Sequence, residues 1–444
     1  MMRCQLRTSQ LILLLYLPNG NDHDTMFFNR RIYIGFALVI ASILAITIVL
    51  NSSYCPLSDA GNISVARSTI EAIVECEDVY LEKKVKQRGQ FLVFENFVMA
   101  ETQFNCADSI TLTAPGDYRF LDNVVPLVER WEGPISVALY APGSDFFTTL
   151  QCIAYLRTCT TPLVRELVTF HLFFEFEHMP KKKNASLINI YEDTFNCSLK
   201  PPYEVLKDND MYKEKNNLTY PINTARNIAR TAAQTHFVFP SDIELYPTRN
   251  FIPMFLTFIR QHPEYAQKDS KNVFVLPIFE VKANEKVPEN KTHLHDMFEK
   301  KNAILFHQGV CTPCHKIPGQ GEWLDAEETS DLNVFNVTKR QGPHNIWEPF
   351  FVCTHKEPLW DERLNWEGQG NKMCQVYALC IHDYDFMVLD NAFLIHKPGI
   401  KKKKVQMVKH MSEVVKNNRI LSKIQREMQD IFGPNKNCKI HNVF

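Results

Sequence analysis

The sequence has no excess of charge of either sign. Its 49 Lys and Arg residues face 50 Asp and Glu residues, a formal net charge of −1 at pH 7, which argues against a nucleic-acid-binding protein that works by neutralising phosphates. The chain also lacks an internal repeat, a GxGxxG fingerprint and a Walker A sequence. Hydrophobic residues, in contrast, make up 45% of its 444 residues and include 31 Phe. This content excludes a disordered, collagenous or low-complexity protein and predicts a globular fold with a large core.

One long hydrophobic run lies near the N-terminus. Residues 32–50 contain no charge, and at about 1.5 Å per residue they are long enough for a helix to cross a hydrocarbon core of roughly 30 Å. Arg30 and Arg31 precede the run and no Lys or Arg follows before Arg67, so the positive-inside rule places the N-terminus in the cytoplasm. A cleaved signal peptide is the alternative, although its apolar core usually has about 7 to 15 residues. We therefore expect a single-pass type II membrane protein with a cytoplasmic tail at residues 1–31, a signal-anchor and a lumenal remainder.

The N-terminal tail suggests a further hypothesis, that translation starts at Met26. The apolar stretch Leu11–Leu17 is too short to span a bilayer, whereas residues 26–31 alone form a typical short cytoplasmic tail. Peptides from before Met26 in the native protein would contradict this hypothesis.

Cysteines and glycosylation sequons fit a lumenal location. All of the 13 cysteines except Cys4 follow the hydrophobic run. Their even number fits disulfide bonds in an oxidising compartment, although the sequence does not decide their pairing. Asn-x-Ser/Thr sequons begin at Asn51, Asn62, Asn184, Asn196, Asn217, Asn290 and Asn336. Asn51 is too close to the bilayer to be modified, and the others are the predicted N-glycosylation sites.

Strands and helices alternate through the lumenal part. Residues 51–88 show no sustained periodicity and suit a stem, whereas residues 89–444 are expected to form one catalytic domain. The pattern predicts strands at Ile135–Tyr140, Leu167–Phe176 and His236–Phe239, and helices at Thr148–Thr158, Pro221–Gln234 and Lys401–Phe432. The polar stretch 181–215 is expected to be a surface excursion. This alternation predicts an α/β fold with a largely parallel sheet, whose ligands bind at the carboxyl ends of the strands.

Two acidic residues follow the predicted strand His236–Phe239. Asp242 and Glu244 lie two positions apart, and residues two apart in an extended segment project to the same side. Carboxylates suit Mg²⁺ or Mn²⁺, which in proteins typically bind one or two carboxylates together with the phosphates of a substrate. The alternative is a strand that leaves the core into a polar turn.

Three further segments carry candidate chemistry. Tyr384–His396 is typical of an apolar strand that delivers its final histidine to a Pro-Gly turn. The loop at residues 360–372 contains Asp361 and Glu362 among Trp and Gly residues, where a catalytic base is expected. Cys311–His315 matches the CxxCH pattern. A disulfide within it, or a pairing of each cysteine elsewhere, is favoured over haem attachment, a redox role or a zinc site.

Taken together, these pieces resemble glycosyltransferase family 49, whose members include β-1,4-glucuronyltransferases of O-mannosyl glycans. The matching segments occur in order across most of the lumenal part, at residues 131–136, 220–227, 241–244, 361–363 and 393–396. The resemblance implies a GT-A fold, residence in the Golgi membrane, a sugar-nucleotide donor, Mn²⁺ (or Mg²⁺), and inversion of the anomeric centre.

The resemblance also implies a metal site. Asp242 and Glu244 fall on the family's metal-binding acids, and His396 falls on its second metal contact. There the ion would offset the charge that develops on the departing diphosphate. The family has Asp where this chain has Glu244, which reaches about one bond further. Weaker activity, another metal preference or an inactive protein are all compatible with that change.

The catalytic base and the donor contacts follow from the same resemblance. Asp361 or Glu362 would take the proton of the acceptor hydroxyl, and the two remain alternatives. Asn223 and Arg226, on the helix before the metal strand, are expected to contact the donor, with Arg226 pairing with a phosphate or a sugar carboxylate. Residues 364–370 depart from the family's Gly-aromatic-Gly turn, so donor or acceptor specificity is expected to differ.

These assignments predict a metal-dependent transfer of glucuronic acid from UDP-glucuronate to an O-mannosyl or xylose-terminated glycan on a secretory-pathway glycoprotein. One alternative is a β-1,3-N-acetylglucosaminyltransferase that acts on lactosamine-type glycans. Another is a catalytically inactive lumenal scaffold. The expected partners are the UDP-sugar, the glycan and another Golgi glycosyltransferase.

Overall fold

The computed structural model describes residues 70–181, 195–400 and 410–441. The predicted cytoplasmic tail, the signal-anchor, the proposed start at Met26 and the sequons at Asn62 and Asn184 therefore lie outside the described residues. Within the described part of the chain, no helix combines the length and the apolar character needed to cross a bilayer. Residues 66–444 form one compact unit.

A six-stranded sheet contains the first strands of the chain. These are β1 (Lys84–Arg88), β2 (Phe91–Val98), β3 (Ile110–Gly116), β4 (Ile135–Tyr140), β5 (Val168–Glu175) and β6 (Phe237–Pro240). Their order is β1-β2-β5-β4-β3-β6. The last four strands in this order run parallel, and β1 and β2 add antiparallel pairs at one edge. Every residue of β3 and β4 is buried, as expected of parallel strands that are covered on both faces.

Two four-stranded sheets contain the remaining strands. These are β7 (Leu245–Pro247), β8 (Asn272–Leu276), β9 (Ile278–Val281), β10 (Ala303–Leu305), β11 (Val334–Thr338), β12 (Phe350–Val352), β13 (Asp385–Leu389) and β14 (Leu394–His396). Their orders are β10-β9-β14-β7 and β11-β13-β8-β12. Val238 on β6 and Cys353, just after β12, exchange backbone hydrogen bonds of 2.8 and 2.9 Å. The strand that precedes Asp242 therefore joins the first sheet to the third.

Helices cover these sheets. They are α1 (Val124–Trp131), α2 (Asp145–Cys159), α3 (Leu163–Leu167), α4 (Pro202–Val205), α5 (Tyr212–Lys215), α6 (Ile222–Thr231), α7 (Phe251–Gln261), α8 (Lys291–Glu299), α9 (Thr312–His315), α10 (Gln320–Asp325), α11 (Met373–Ile381) and α12 (Met411–Phe432). Short 3₁₀ turns lie at Tyr118–Asn123, Phe176–His178, Asp208–Asp210, Pro263–Ala266 and Gly342–Ile346. Helix α1 ends where Glu132 adopts the left-handed conformation with a φ of 51°. Gly133 follows because a Cβ there would lie 2.3 Å from Cδ1 of Ile252.

The order of the parallel strands places a ligand site beside Asp242. From β3 the chain adds β4 and β5 on one side, whereas β6 pairs on the other side of β3. Ligands of open α/β sheets bind at the carboxyl ends of the strands where the direction of winding changes. That point lies between the ends of β3 and β6, and Asp242 follows β6 by two residues.

The structure confirms the predicted strands β4, β5 and β6 and the helices α2 and α6, and corrects three other expectations. Six of the eleven strand pairings are antiparallel, so the sheets are mixed rather than largely parallel. Tyr384–His396 is not one strand but two, β13 and β14, which belong to different sheets. Residues 84–88 pair with β2, so the folded part begins within the predicted stem.

Disulfide bonds join most of the described cysteines, but three thiols remain free. The bonds are Cys76–Cys106, Cys159–Cys197, Cys311–Cys314 and Cys380–Cys438. The free thiols are Cys152, Cys353 and Cys374, and all are buried. Burial raises the pKa of each to about 12, so these thiols stay protonated and inert. The even number of cysteines therefore did not mean complete pairing, whereas the disulfide within the CxxCH segment is confirmed.

A buried histidine couples the stability of the fold to pH. Nδ1 of His171 on β5 accepts a hydrogen bond of 2.8 Å from the backbone N–H of Asn96. Nε2 lies 2.8 Å from Oγ of Ser136, whose own proton is donated to the carbonyl of Ala229 at 2.7 Å. Nε2 therefore carries the single proton of a neutral ring. Burial lowers the pKa of His171 from its ordinary 6.5 to about 3.

We expect the domain to lose stability in acid through His171. The folded state favours the neutral ring, so its contribution is complete above about pH 6.5 and is lost as the pH falls towards 3. At about 1.4 kcal/mol per pH unit, the contribution between pH 7 and pH 5 is about 2 kcal/mol. Urea unfolding at these two pH values should show a smaller difference for His171→Gln than for the wild type. His293→Gln changes an exposed ring and should match the wild type; an unchanged pH dependence in His171→Gln would contradict this role.

Candidate functional site

A recess opens at the carboxyl end of β6, between this strand, β12 and the start of α11. Its empty volume, including the open mouth, is about 350 Å³. Its walls include Arg226, Asp242, Pro349, Phe350, Trp360 and Lys372. We call it the Asp242 recess. It lies at the edge of the sheet where the strand order predicts a ligand.

Two cations hold the carboxylate of Asp242. Nη2 of Arg226 donates to Oδ1 at 3.1 Å, and Nζ of Lys372 donates to Oδ2 at 2.8 Å. Burial by itself would raise the pKa of Asp242, but the positive charges of Lys372 and Arg226 and their hydrogen bonds outweigh it and lower the pKa well below its usual range. Asp242 therefore remains ionised throughout the physiological pH range.

Lys372 is a functional candidate that sequence reasoning missed. Its side chain is 17% exposed, and its Nζ lies 3.7 Å from the centroid of the Phe350 ring. Burial lowers the pKa of Lys372, against the opposing effect of Asp242. A cation in a partly apolar recess attracts anionic groups more strongly than one in water. The feature of the sequence that could have indicated Lys372 is its position two residues after the Gly-rich stretch at residues 368–370.

One face of α6 holds the loop at residues 354–372. Its polar side chains Asn223, Arg226, Asn227 and Arg230 are all buried, and their spacing of three and four residues places them on one side of the helix. Together they donate hydrogen bonds to the backbone of the loop at Thr354, Glu357, Pro358, Trp360, Asp361 and Asn371, and to the side chains of Glu362 and Asn371. The helix therefore fixes the wall of the recess that carries Lys372.

Two of these α6 side chains, Asn223 and Arg226, are the residues predicted to contact the sugar-nucleotide donor. Nδ2 of Asn223 donates to the carbonyls of Asp361 and Asn371 at 2.9 Å each, and its Oδ1 accepts from Arg226 at 2.9 Å. Arg226 also donates to Oδ1 of Asn371 at 2.6 Å. Both N–H groups of the Asn223 amide are used by protein partners, so the geometry gives Asn223 a positioning role. Arg226 positions Asn371 and also lines the Asp242 recess.

Glu244 and His396 meet across the paired strands β7 and β14. Nε2 of His396 lies 3.1 Å from Oε1 of Glu244, but the two atoms are not aligned for a hydrogen bond. Nδ1 of His396 lies 2.8 Å from the carbonyl of Lys397, which can only accept, so Nδ1 carries the proton in the neutral ring. The lone pair of the buried Nε2 is then free beside a carboxylate. A lone pair and a carboxylate without a hydrogen bond between them fit a bound cation.

The three predicted metal ligands do not form one cluster. In the parts of the chain that the structure describes, no three His, Cys, Asp or Glu side chains are close enough together to hold a metal ion. Asp242 instead binds Arg226 and Lys372, and only Glu244 and His396 are paired. One carboxylate and one imidazole are a sufficient protein contribution where substrate phosphates complete the coordination.

Both predicted base residues are engaged by guanidinium groups. Asp361 accepts from Nε and Nη2 of Arg363, the shortest distance being 2.6 Å. Oε1 of Glu362 accepts from Nε of Arg88 and from Nδ2 of Asn227, both at 2.7 Å. Each of the two predicted base residues therefore already has a cationic partner within the protein.

Glu348 is a second candidate that sequence reasoning missed. It directly precedes Pro349 and Phe350, which line the Asp242 recess. Burial raises the pKa of its carboxyl, whereas the charges of Lys372 and Arg226 partly oppose the shift. In the sequence, the feature that could have indicated Glu348 is an acidic residue between Trp347 and Pro349, directly before an apolar strand.

The described sequons occupy the surface. Asn196, Asn217 and Asn290 are exposed, and Asn336 is partly exposed on β11. Asn290 also caps α8, since its side chain accepts from the backbone N–H of His293. These four asparagines are therefore accessible to an oligosaccharyltransferase. Their N-glycosylation stays a prediction.

Comparison with known proteins identifies the family. A family model described as a glycosyl-transferase for dystroglycan matches residues 109–433, which include the whole Asp242 recess. The chain belongs to glycosyltransferase family 49. The resemblance drawn from the sequence is confirmed, and the protein is a glycosyltransferase.

Relatives of this transferase span most of its folded part. Beta-1,4-glucuronyltransferase 1 of Danio rerio is 28% identical over 327 residues, which cover 70% of this chain and 72% of the relative. Beta-1,4-glucuronyltransferase 1 of Homo sapiens is 28% identical over 331 residues, which cover 68% of this chain and 76% of the relative. The human xylosyl- and glucuronyltransferase LARGE1 is 25% identical over 298 residues, which cover 66% of this chain and 32% of that longer protein.

Solved structures match the transferase only loosely. A crystal structure of GalNAc-T7 with UDP, GalNAc and Mn²⁺ aligns with 72% of this chain and 52% of its own, with a TM-score of 0.35 and 11% identity. A superposition at this level carries no argument about the fold or its ligands.

Proposed function

We propose that this transferase moves glucuronic acid from UDP-glucuronate to a glycan on a secretory-pathway glycoprotein, with inversion at the sugar C1. The names of the relatives motivate the donor and the reaction. The observation that supports the proposal most directly is the preformed pairing of Asp242 with Lys372 and Arg226 at the sheet edge where α/β folds bind ligands. The proposal includes a GT-A arrangement of the fold and an O-mannosyl or xylose-terminated acceptor.

The chain's own residues can hold the donor's negative charges. Lys372 presents an ammonium group into the Asp242 recess, where it can bind either the diphosphate or the carboxylate of the uronate. Arg226 donates to both Asn371 and Asp242, so it fixes the loop on which Lys372 lies. Trp360 and Phe350 form apolar walls, which exclude water and strengthen the charge contacts inside the recess.

Glu244 and His396 are the residues that would hold Mn²⁺ or Mg²⁺, with Asp242 as the third predicted ligand. A bound ion supplies Lewis-acid stabilisation of the charge on the departing diphosphate. The tautomer of His396 is already set, because its Nδ1–H donates to the carbonyl of Lys397. Its Nε2 lies 3.1 Å from Oε1 of Glu244, so one ion can contact both residues.

The direct test is turnover by the purified full chain across a panel of UDP-sugars. The panel is run with Mn²⁺ and with EDTA, using xylose-terminated and lactosamine-terminated acceptors. Metal-dependent transfer from UDP-glucuronate to the xyloside is the expected result. Transfer of N-acetylglucosamine to lactosamine would replace this function with the other transferase activity. No turnover with any donor by a folded, glycosylated protein would favour a scaffold.

We also propose a single-pass type II arrangement in the Golgi membrane. The uncharged run at residues 32–50 and the arginines before it support this arrangement. Co-localisation with a Golgi marker, together with loss of mass on treatment with an N-glycosidase, is the expected result. A protein without N-glycans would contradict a lumenal location of the catalytic domain.

A further inference from the structure

The CxxCH segment, Cys311–His315, holds the backbone at Glu348 on both sides. The N–H of Glu348 donates to the carbonyl of Cys314 at 2.7 Å. Nδ1 of His315 lies 3.1 Å from the carbonyl of Glu348 and donates to it, since a carbonyl only accepts. The disulfide Cys311–Cys314 closes this segment. The CxxCH segment therefore fixes the backbone of one acidic residue next to the recess.

The hydrogen bond from His315 to the Glu348 carbonyl persists over the physiological pH range because the histidine is buried. The ring of His315 is 8% exposed, and burial lowers its pKa well below its usual value. The ring therefore remains neutral, with its proton on Nδ1. The hydrogen bond to the Glu348 carbonyl does not depend on a charge that could be lost near neutral pH.

Glu348 lies at the edge of the Asp242 recess. The next residues, Pro349 and Phe350, are walls of the Asp242 recess, and the Phe350 ring lies beneath Nζ of Lys372. The charges that act on the Glu348 carboxyl are those of Lys372, Arg226, Arg340 and Asp242. Its carboxyl therefore lies close enough to Lys372, the cation proposed to bind the donor, to feel its charge.

The carboxylate of Glu348 also differs from the two candidates suggested by the sequence. Within residues 70–181, 195–400 and 410–441, no hydrogen bond or ion pair reaches its carboxylate oxygens. Asp361 and Glu362 each have a guanidinium partner. Burial raises the pKa of Glu348, and a carboxylate with an increased affinity for protons is better suited to general-base catalysis near neutral pH.

We propose that Glu348 is the general base of the transfer reaction. This inference rests on the proposed function. The oxygen of the acceptor hydroxyl forms a bond to C1 of the sugar, and the bond from C1 to the diphosphate oxygen breaks. Its electron pair leaves with UDP, and the hydroxyl proton passes to the Glu348 carboxylate. Asp361 and Glu362 then position the loop through Arg363 and Arg88 and do not take the proton.

The test compares Glu348→Gln with the wild-type full chain. The substitution keeps the size and removes the basic carboxylate, so kcat should fall about 10²-fold to 10⁴-fold. The KM for the UDP-sugar and the melting temperature should change little, and the acid limb of the pH–rate profile should disappear. Retention of more than about a tenth of the wild-type kcat would overturn the inference.

A second variant separates catalysis from positioning. Glu348→Ala leaves space for a small carboxylate, so added formate should restore part of the lost rate, whereas chloride at the same ionic strength should not. Asp361→Ala and Glu362→Ala should not be rescued by formate. Rescue of either of these two variants, and not of Glu348→Ala, would assign the base to the rescued position.

Failure of this inference differs from failure of the proposed function. A wild-type chain without turnover on any UDP-sugar would reject the proposed function. An active wild type with an equally active Glu348→Gln variant would reject only the role of Glu348.

Discussion

Replacing Asp242 by Asn is expected to lower kcat/KM at least about a hundredfold and to reduce thermal stability. The carboxylate is the shared partner of Arg226 and Lys372, at 3.1 and 2.8 Å. Its neutralisation leaves two cations close together in a recess of low polarity, at a cost of about 1 to 3 kcal/mol for buried groups that lose a partner. Lost electrostatic stabilisation of a developing charge typically lowers kcat about 10²-fold to 10³-fold. The measurements are steady-state kinetics with UDP-glucuronate and thermal unfolding.

The matched control for Asp242→Asn is Asp383→Asn. Asp383 is 74% exposed and lies 3.1 Å from Nζ of Lys339, and surface pairs of this kind contribute about 0 to 1 kcal/mol. The control should keep both activity and stability. Wild-type kcat/KM in a folded Asp242→Asn protein would show that this carboxylate serves neither the donor nor a metal ion.

Replacing Lys372 by Met is expected to lower kcat/KM about tenfold to a hundredfold. A charge-assisted hydrogen bond contributes about 1.5 to 3 kcal/mol, and Met keeps most of the apolar contact with Phe350 while it removes the charge. The loss should appear mainly as a higher KM for the donor. Lys372→Arg should recover part of the affinity, because a guanidinium group can bind a phosphate or a carboxylate.

The donor group that contacts Lys372 can be identified with three ligands. A loss of affinity for UDP itself, equal to that for UDP-glucose and UDP-glucuronate, would indicate contact with the diphosphate. A loss confined to UDP-glucuronate would indicate contact with the uronate carboxylate and a role in donor selection. Unchanged binding of all three ligands by Lys372→Met would contradict a donor contact.

Much of the fold could be predicted because its signals are local. Strand β4 is a continuous apolar run that ends at Ala141-Pro142-Gly143, and α6 begins after a Tyr-Pro pair. The acidic pair after β6 was visible as two acids two positions apart. These features depend on residues adjacent in sequence, so periodicity and turn residues were enough to place them.

The predicted site was less complete, because its contacts join distant parts of the chain. The bond between Asn223 and Asp361 spans 138 residues, and the bond between Lys372 and Asp242 spans 130. A polar stripe on α6 was equally compatible with a surface that contacts a ligand and with a buried face that holds a loop. The run at residues 384–396 was apolar throughout, so its division between two sheets was not visible in its composition.

The sequence by itself determined the class of fold, the acidic pair after β6 and the family of the chain, because each depends on the type and order of residues. Only the tertiary structure decided that Asn223 and Arg226 support the recess, that Glu244 meets His396, that Lys372 lines the recess, and that Glu348 lies next to two of its lining residues. The physical reason is that burial and charge pairing decide which polar groups remain available for a substrate. Those quantities exist only once strands and loops far apart in sequence have packed together.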